Sequence, residues 1–401
     1  NKNSIPPDCL SPAMTGFNLE KHWAADGGAF WWDINISWAL QIAALKMKRE
    51  NNSKAWEKIR STLENKIYLR NGIEILQQYD PENFILNWNE DLRNNRDLEI
   101  FKLNPSWIKR PMLIIGGLWD QHLRGALDLY QEAKLAGGNP EIIIGNATHL
   151  NWWEGYQNDL LNFFDRHLMN VNKKKYEFNR KIWNISLCKW DDIDSDKNNI
   201  FKFGFQSDGI ANISDSEGRL VPNSKGSGFV TIVHDPWRPV PSQGGHLGPN
   251  QGIFNRQILD KRQDIAKFQT NKFISNQHLL GIPLINAAII CDQSNFDICL
   301  ALSFINEEET YVNQFSTGFL RISDSEKNKK RNYKIEMQPV NLTLLKGYKL
   351  RLSLSGSSWP AIGVNSGNDS KDYGPPTINH KITRITLDLT KSFMNINPFF
   401  K

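Results

Sequence analysis

Two apolar runs joined by an amphipathic helix dominate the hydrophobic pattern between residues 111 and 149. The first run, PMLIIGGLWD, ends at Asp120, and the second, NPEIIIGNATH, ends at His149. The intervening QHLRGALDLYQEAKLAGG has the apolar spacing of an amphipathic helix. Continuous apolar strands linked by a helix indicate parallel pairing in a sheet that is buried on both faces. Because crossovers in such sheets are right-handed, both strands point the same way, and Asp120 and His149 are predicted at one sheet edge.

The pattern changes to helices from about Trp31 to Leu98. Apolar residues recur there at three- and four-residue intervals in WDINISWALQIAALKMKR and SKAWEKIRSTLENKIYL, with charged residues between them. These helices predict an inserted cap or lid, which we place at residues 23–106.

After Tyr176 the pattern changes again, to short segments rich in β-branched and aromatic residues. The segments are KIWNISL, IFKFGFQ, GSGFVTIVHD, NKFISN, FDICLALSFI, NQFSTGFLRI, NYKIEMQPVNLTLL, YKLRLSLSG and HKITRITLDLT. Such regularly spaced strands predict an all-β sandwich or jelly roll. The irregular stretch from Asp235 to Gln263 is too long for a simple connection. We expect it to pack against a neighbouring domain or to border its site.

Composition excludes several classes of function. The chain has 401 residues, a net charge of +5 and interleaved acids and bases, and its one dense basic run, KNKKRNYK, fits a solvated hairpin turn. We therefore expect no nucleic-acid partner, and no apolar stretch approaches the ~20 residues that a membrane span needs. Four cysteines without CxxC spacing indicate reduced thiols in a cytoplasmic protein. Without HExxH or clustered ligands, no metal or cofactor is expected.

Asp120 and His149 have the residue types and chain order of two members of a hydrolase triad. A histidine with an ordinary pKa of roughly 6.5 can take a serine proton and return it to the leaving group, while the carboxylate orients the ring. Asp120 could alternatively cap the helix that begins at Gln121. His122, two residues after the aspartate, is interpreted as a surface or capping residue rather than as the base.

The serine of such a triad is missing from the sequence. No G-x-S-x-G occurs, and Ser4, Ser11 and Ser106 have no elbow glycines beside them. Ser227 and Ser357 have neighbouring glycines, but they lie in strand–turn–strand patterns rather than in the strand–turn–helix setting of an elbow. No serine of this chain is therefore assigned as the nucleophile.

Several sequence pieces, in this order, resemble the cocaine esterase / X-prolyl dipeptidyl-peptidase (CocE/NonD) family of acyl hydrolases. The pieces are SPAMTGF (11–17), DGGAF (26–30), NISWAL (35–40), PMLIIGGLWD with ATH, DPWRPVPSQGG (235–245), LDKRQDI (259–265), FSTGFLR (315–321) and LRLSLSGSSWPAIGVNSG (350–367). The resemblance implies an α/β-hydrolase domain with an inserted helical cap, followed by a jelly-roll β-sandwich. The corresponding ranges are 1–22 for a remnant of the α/β-hydrolase domain, 23–106 for the cap, 107–172 for the C-terminal part of the α/β-hydrolase domain and 173–401 for the jelly roll.

The resemblance also implies a serine-type acyl hydrolase that cleaves an ester or an amide, including X-Pro peptides, through an acyl-enzyme. Asp120 and His149 would be catalytic, with Phe30, Trp31 and Trp152 lining the substrate pocket. Family members carry the nucleophile and the oxyanion hole before the SPAMTG-like segment. We therefore expect this chain to be a fragment that is inactive alone, either part of a longer protein or the product of a truncated or split gene.

The expected partner is a small-molecule substrate: an ester, an amide or a short peptide. Assembly into a homo-oligomer, or with a complementing N-terminal half, is left open. Two alternative readings of function remain at this stage. One is an inactive remnant or split half of a hydrolase. The other is a carbohydrate- or partner-binding β-sandwich protein, although a binding module has no need of both Asp120 and His149 at adjacent strand ends.

Overall fold

A small α/β sheet with a helical cap and a large β-sandwich make up the protein. The computed structural model describes residues 5–169, 180–193, 201–370 and 372–400. Its helices are α1 (Trp32–Arg49), α2 (Ser53–Glu64), α3 (Tyr68–Tyr79), α4 (Phe84–Arg93), α5 (Pro105–Ile108), α6 (Leu123–Leu135) and α7 (Tyr156–Leu168). Its first strands are β1 (Ala25–Asp26), β2 (Ala29–Phe30), β3 (Leu113–Gly117), β4 (Glu141–Gly145), β5 (Arg180–Asn184) and β6 (Lys189–Asp192). The fold class predicted from sequence, α/β followed by all-β, is confirmed.

The α/β sheet has the strand order β3-β4-β5-β6. Strands β3 and β4 are parallel, and α6 crosses between them as the sequence predicted. Isolated parallel bridges from Leu10 to Met112 and from Ala13 to Ile115 add residues 10–13 to the other side of β3. All five residues of β3 are buried, as expected for a strand covered on both faces.

Strand β5 differs from its sequence-based assignment. Its segment KIWNISL was placed in the jelly roll, but β5 pairs in parallel with β4 and β6 then pairs antiparallel with β5. Ile182 of β5 is fully buried in the core. A β-branched and aromatic pattern predicts a strand without specifying which sheet it joins, because tertiary packing decides the partner. The α/β sheet therefore extends beyond residue 172, where the sequence placed the domain boundary.

The cap is built from α1 to α4 around a shared apolar core. Gly72 of α3 faces α1 so closely that an added Cβ would lie 2.4 Å from Cγ2 of Ile36. Strands β1 and β2 form a hairpin at the start of the cap, with Gly27 in the left-handed region at φ +54°. A Cβ at Gly27 would lie 2.1 Å from the carbonyl oxygen of Phe319, so the hairpin docks directly on the β-sandwich.

The β-sandwich contains the remaining strands. They are β7 (Lys202–Gly209), β8 (Arg219–Pro222), β9 (Ser227–His234), β10 (Phe254–Asn255), β11 (Ile265–Gln269), β12 (Gln277–Cys291), β13 (Phe296–Ile305), β14 (Val312–Ile322), β15 (Arg331–Glu336), β16 (Val340–Leu344), β17 (Lys349–Ser355), β18 (Val364–Asn365), β19 (Tyr373–Gly374) and β20 (Thr383–Asn397). Twelve of them form one continuous hydrogen-bonded sheet, while β18 and β19 pair separately. The long strand β12 pairs with β20, β15 and β16.

Two further observations bear on the sequence-based expectations. All four cysteines are free, with Cys291 and Cys299 buried. Among the described residues, no helix is both long and apolar enough to cross a membrane.

Candidate active site

The structure brings Asp120 and His149 together at the edge of the α/β sheet. Asp120 follows β3, His149 follows β4, and the last residues of these strands, Gly117 and Gly145, are register partners. Nδ1 of His149 lies 3.1 Å from Oδ1 of Asp120. The Asp120 side chain is 0% exposed, whereas that of His149 is 39% exposed. The His149 side chain is thus partly accessible, while its partner carboxylate is shielded from water.

Main-chain bonds fix the two turns that carry this pair. The N–H of Leu118 donates to the carbonyl of Gly145, and the N–H of Trp119 donates to that of Ala147, at 2.9 and 3.0 Å. Gly117 allows this approach, because a Cβ there would lie 2.5 Å from the carbonyl oxygen of Ala147. The glycine-rich end of β3 is therefore a requirement of the turn geometry.

The hydrogen bond to Asp120 raises the pKa of His149, and partial burial opposes this rise. An ionised carboxylate can only accept, so Nδ1 carries the hydrogen and Nε2 of the neutral ring is left as an acceptor. The second oxygen of Asp120, Oδ2, is buried without a hydrogen-bond partner among the described residues. The pair therefore has the donor and acceptor arrangement of a base oriented by a carboxylate.

His122 is neither at the surface nor a side-chain cap, which corrects the sequence-based interpretation. It is 5% exposed, and as the N-cap residue of α6 it makes no side-chain capping bond. Its Nδ1 donates to the carbonyl of His22, and its ring centroid lies 4.9 Å from that of His149. Burial lowers the pKa of His122, which favours the neutral form of this neighbour of His149. Helical periodicity near a helix start did not reveal that His122 faces inward.

The three aromatic residues predicted to line a pocket occupy different environments. The Nε1 of Trp152 donates to the carbonyl of His149 at 3.2 Å. Trp31 is buried, and its ring centroid lies 5.8 Å from that of His122. Phe30 is fully buried in the cap core against Trp32 and Tyr373. Trp31 and Trp152 lie beside the site, whereas Phe30 is placed in a packed core. The pocket role of all three stays a prediction.

Side chains of the β-sandwich reach the turn that carries Asp120. Nε2 of Gln338 donates to the Asp120 carbonyl at 3.0 Å, and Nε2 of Gln251 donates to Oε1 of Gln121 at 3.3 Å. Gln251 lies in the long irregular stretch that the sequence predicted would pack against a neighbouring domain, and this contact confirms that prediction. Gln338 was not foreseen, because a lone glutamine between two strands carries no local signal.

Asp120, His122 and His149 are also close enough to be considered as metal ligands. One potential ligand atom from each lies within 4.8 Å of the other two. Oδ1 of Asp120 and Nδ1 of His149 already satisfy each other through their hydrogen bond. We therefore assign no metal to this cluster, and the expected absence of a metal stays a prediction.

Comparison with known proteins identifies the family. Residues 1–151 match the family described as X-Pro dipeptidyl-peptidase (S15 family). Residues 204–390 match the family described as X-Pro dipeptidyl-peptidase C-terminal non-catalytic domain. Together these two matches span most of the chain, which therefore belongs to the X-Pro dipeptidyl-peptidase (S15) family. Membership in this hydrolase family confirms the resemblance inferred from sequence, and no curated protein sequence matched the chain.

Solved structures share the fold of this X-Pro dipeptidyl-peptidase family member at low identity. An aminopeptidase from a marine sediment archaeon (Thaumarchaeota archaeon) has a TM-score of 0.68 and 16% identity, with 97% of this chain and 72% of that chain covered. An α-amino acid ester hydrolase has a TM-score of 0.65 and 16% identity, over 99% and 74% of the two chains. A CocE/NonD family hydrolase from Staphylococcus aureus has a TM-score of 0.63 and 13% identity, over 98% and 67%.

Proposed function

We propose that Asp120 and His149 are the carboxylate and the general base of a serine-type acyl hydrolase. The observation that carries this proposal is the 3.1 Å bond between Nδ1 of His149 and Oδ1 of Asp120, at the ends of adjacent parallel strands. The substrate class is an ester or an amide, including X-Pro peptides, and the reaction passes through an acyl-enzyme.

In this mechanism Nε2 of His149 accepts the proton of a serine hydroxyl as its oxygen attacks the substrate carbonyl. Asp120 holds the ring in the required tautomer and stabilises the imidazolium that forms. The imidazolium then protonates the leaving group, and a water molecule deprotonated by the same Nε2 releases the acyl group. The raised pKa of His149 supports this role, because the hydrogen bond that its Nδ1–H donates to Asp120 favours the protonated ring.

The proposal assigns the nucleophile to a polypeptide segment that the 401 residues do not contain. Among the described residues, no serine hydroxyl forms a hydrogen bond with His149. The hydroxyl of Ser11 donates to the carbonyl of Leu113, and that of Ser106 donates to the Asn104 side chain. Loss of a triad member lowers turnover by several orders of magnitude. The 401 residues alone are therefore proposed to be inactive.

A fluorophosphonate probe, which labels activated serines, tests this proposal. We expect no labelling of the 401-residue chain. The same chain extended by the residues encoded directly upstream of Asn1 should be labelled at a G-x-S-x-G serine and should hydrolyse a p-nitrophenyl acyl ester. His149→Ala in the extended protein should abolish both activities, and Lys189→Ala, at an exposed position of the edge strand β6, serves as the control. Labelling that survives His149→Ala would contradict the assignment of the base.

A further inference from the structure

We propose that Gln338, a residue of the β-sandwich, is a positioning residue for the Asp120–His149 pair. The inference rests on the proposed function and deepens it, because it assigns part of the site to the domain described as non-catalytic in this family. Gln338 lies in the link between β15 and β16 and is 6% exposed. Its Nε2 donates to the main-chain carbonyl of Asp120 at 3.0 Å, in a buried contact.

Gln338 is itself fixed to the sandwich at both of its main-chain polar groups. Its N–H donates to the carbonyl of Thr317 at 2.8 Å, and its carbonyl accepts the hydroxyl of Ser316 at 2.6 Å. Both of these partners belong to β14, so the main chain that carries the Gln338 amide is fixed to the sandwich. The bond to Asp120 therefore holds the turn in place relative to the sandwich.

The bonds of Leu118 and Trp119 fix the start of this turn, and the bond from Gln338 adds to those of Asp120 itself. The N–H of Asp120 donates to the Gly117 carbonyl at 3.1 Å, and its carbonyl accepts the N–H of Leu123 at a longer 3.3 Å. Within the described part of the chain, Oδ2 of Asp120 has no partner, so the carboxylate is held on its polar side by His149 alone. A small rotation of the Asp120 main chain would consequently move Oδ1 away from Nδ1.

A second contact holds the helix that follows this turn. Arg124, in the first turn of α6, forms an ion pair with Glu336 at the end of β15, two residues before Gln338. The β15–β16 link thus contacts the Asp120 turn and the start of α6 together. The Gln251–Gln121 bond reinforces the same interface from another loop of the sandwich.

Within the described ranges, the ionisable groups that contact the His149 ring are Asp120 and His122. Arg124 is paired with Glu336, and Asp128 of α6 is paired with His22, so these charges are compensated at the interface. Replacing the neutral Gln338 by a neutral residue leaves all of these charges in place. A change in the titration of His149 would therefore report a moved carboxylate rather than a removed charge.

The test is an NMR titration of ring-labelled histidines in the 401-residue chain. Gln338→Met keeps the volume and removes the donor, and Gln338→Asn keeps the amide but shortens the reach. Both should lower the pKa of His149 by about half a unit or more and reduce the Nδ1–H tautomer. Gln314→Met is the matched control. It removes a similar bond, from Gln314 Nε2 to the Gln243 carbonyl at 2.7 Å, without touching the turn. It also removes the bond that Oε1 of Gln314 accepts from Arg256 at 2.8 Å, so it is at least as disruptive to the sandwich as the Gln338 variants.

Three outcomes separate this inference from the proposed function. A change in His149 with both Gln338 variants and none with Gln314→Met supports the positioning role. If Asp120→Asn changes His149 but neither folded Gln338 variant does, the positioning role is overturned and the Asp–His pair stands. If even Asp120→Asn leaves the titration of His149 unchanged, the pair does not form in solution and both proposals are overturned.

Discussion

The guanidinium of Arg93, in the last turn of α4, lies 4.4 Å from the ring centroid of Tyr373 in the β-sandwich. The same guanidinium donates to the Tyr373 carbonyl at 2.5 Å. A second cation, Arg321, lies 4.1 Å from the same ring centroid. Helix α4 of the cap is therefore held to the sandwich through one aromatic ring, Tyr373, that contacts two cations.

We expect Arg93→Met to release α4 from the sandwich, because it removes the cation–π contact, the carbonyl bond and the ion pair with Asp372. Amide hydrogen exchange in residues 84–93 should become faster, while exchange in β13 stays unchanged. Arg96→Met is the matched control, since Arg96 forms an exposed ion pair with Asp91. Equal acceleration in the two variants would show that the ring contact does not hold the cap.

Asp120→Asn should lower the pKa of His149, since the charge that stabilises the protonated ring is removed while the volume is kept. In the extended protein the same change should reduce kcat by about four orders of magnitude, because the ring loses the tautomer required of a base. Histidine NMR and ester hydrolysis measure the two effects. Asp128→Asn, which alters the partner of His22, should leave the pKa of His149 near its original value. If both variants shift it equally, the assignment of the carboxylate is wrong.

His234 should make the protein less stable in acid. Burial lowers the pKa of His234 to about 4, whereas the unfolded chain binds a proton at an ordinary pKa of roughly 6.5. The free energy of unfolding should therefore be unaffected by His234 above pH 6.5 and should fall as the pH drops from there toward 4. Protonation of His234 should lower the free energy of unfolding by about 3 kcal/mol in total.

The measurement for His234 is urea denaturation at several pH values between 4 and 8, on the protein and on His234→Leu. Because carboxylates such as Asp191 and Asp215 also have lowered pKa values, the informative quantity is the difference between the two proteins. The loss of stability between pH 6.5 and 4 should be smaller in His234→Leu. Parallel curves would show that His234 is not buried as a neutral ring.

Gly117→Ala should destabilise the α/β unit more than Gly116→Ala. The added methyl at Gly117 would meet the Ala147 carbonyl, which is fixed main chain, whereas at Gly116 it would meet Cδ1 of Leu123 at 2.8 Å, the end of a mobile side chain. Overpacking against rigid atoms costs about 1–3 kcal/mol. Thermal denaturation of the two variants gives the comparison, and a smaller loss at Gly117 would contradict the geometry of the turn.

The sequence was sufficient to predict the Asp120–His149 pair, because strand, helix and strand patterns combine with a fixed crossover hand to place both residues. It was not sufficient for β5, whose pattern fits either sheet. It also missed β12, in which Gly281 and Pro283 interrupt the residues expected of a strand. A local sequence pattern predicts that a strand forms, whereas tertiary packing decides which strand it pairs with.

The same reason explains why His122 and Gln338 were not recognised. His122 is defined by a contact with the His22 carbonyl, 100 residues earlier, and Gln338 by a contact with Asp120, 218 residues earlier. Neither residue belongs to a periodic pattern or a spaced motif. Contacts between distant segments have no signature in a single sequence, even when they border a site that the sequence does reveal.

The docking of the β1–β2 hairpin limits how the cap can move. The Arg321 N–H donates to the Gly27 carbonyl at 2.9 Å, and the N–H of Trp32 donates to the Ala361 carbonyl at 3.0 Å. A lid anchored at its root by main-chain bonds cannot swing open as a rigid body about that root. Motion of the cap relative to the sandwich would then require local unfolding of its helices rather than a hinge at β1–β2, so the mobility of the cap would follow the stability of α2 and α3.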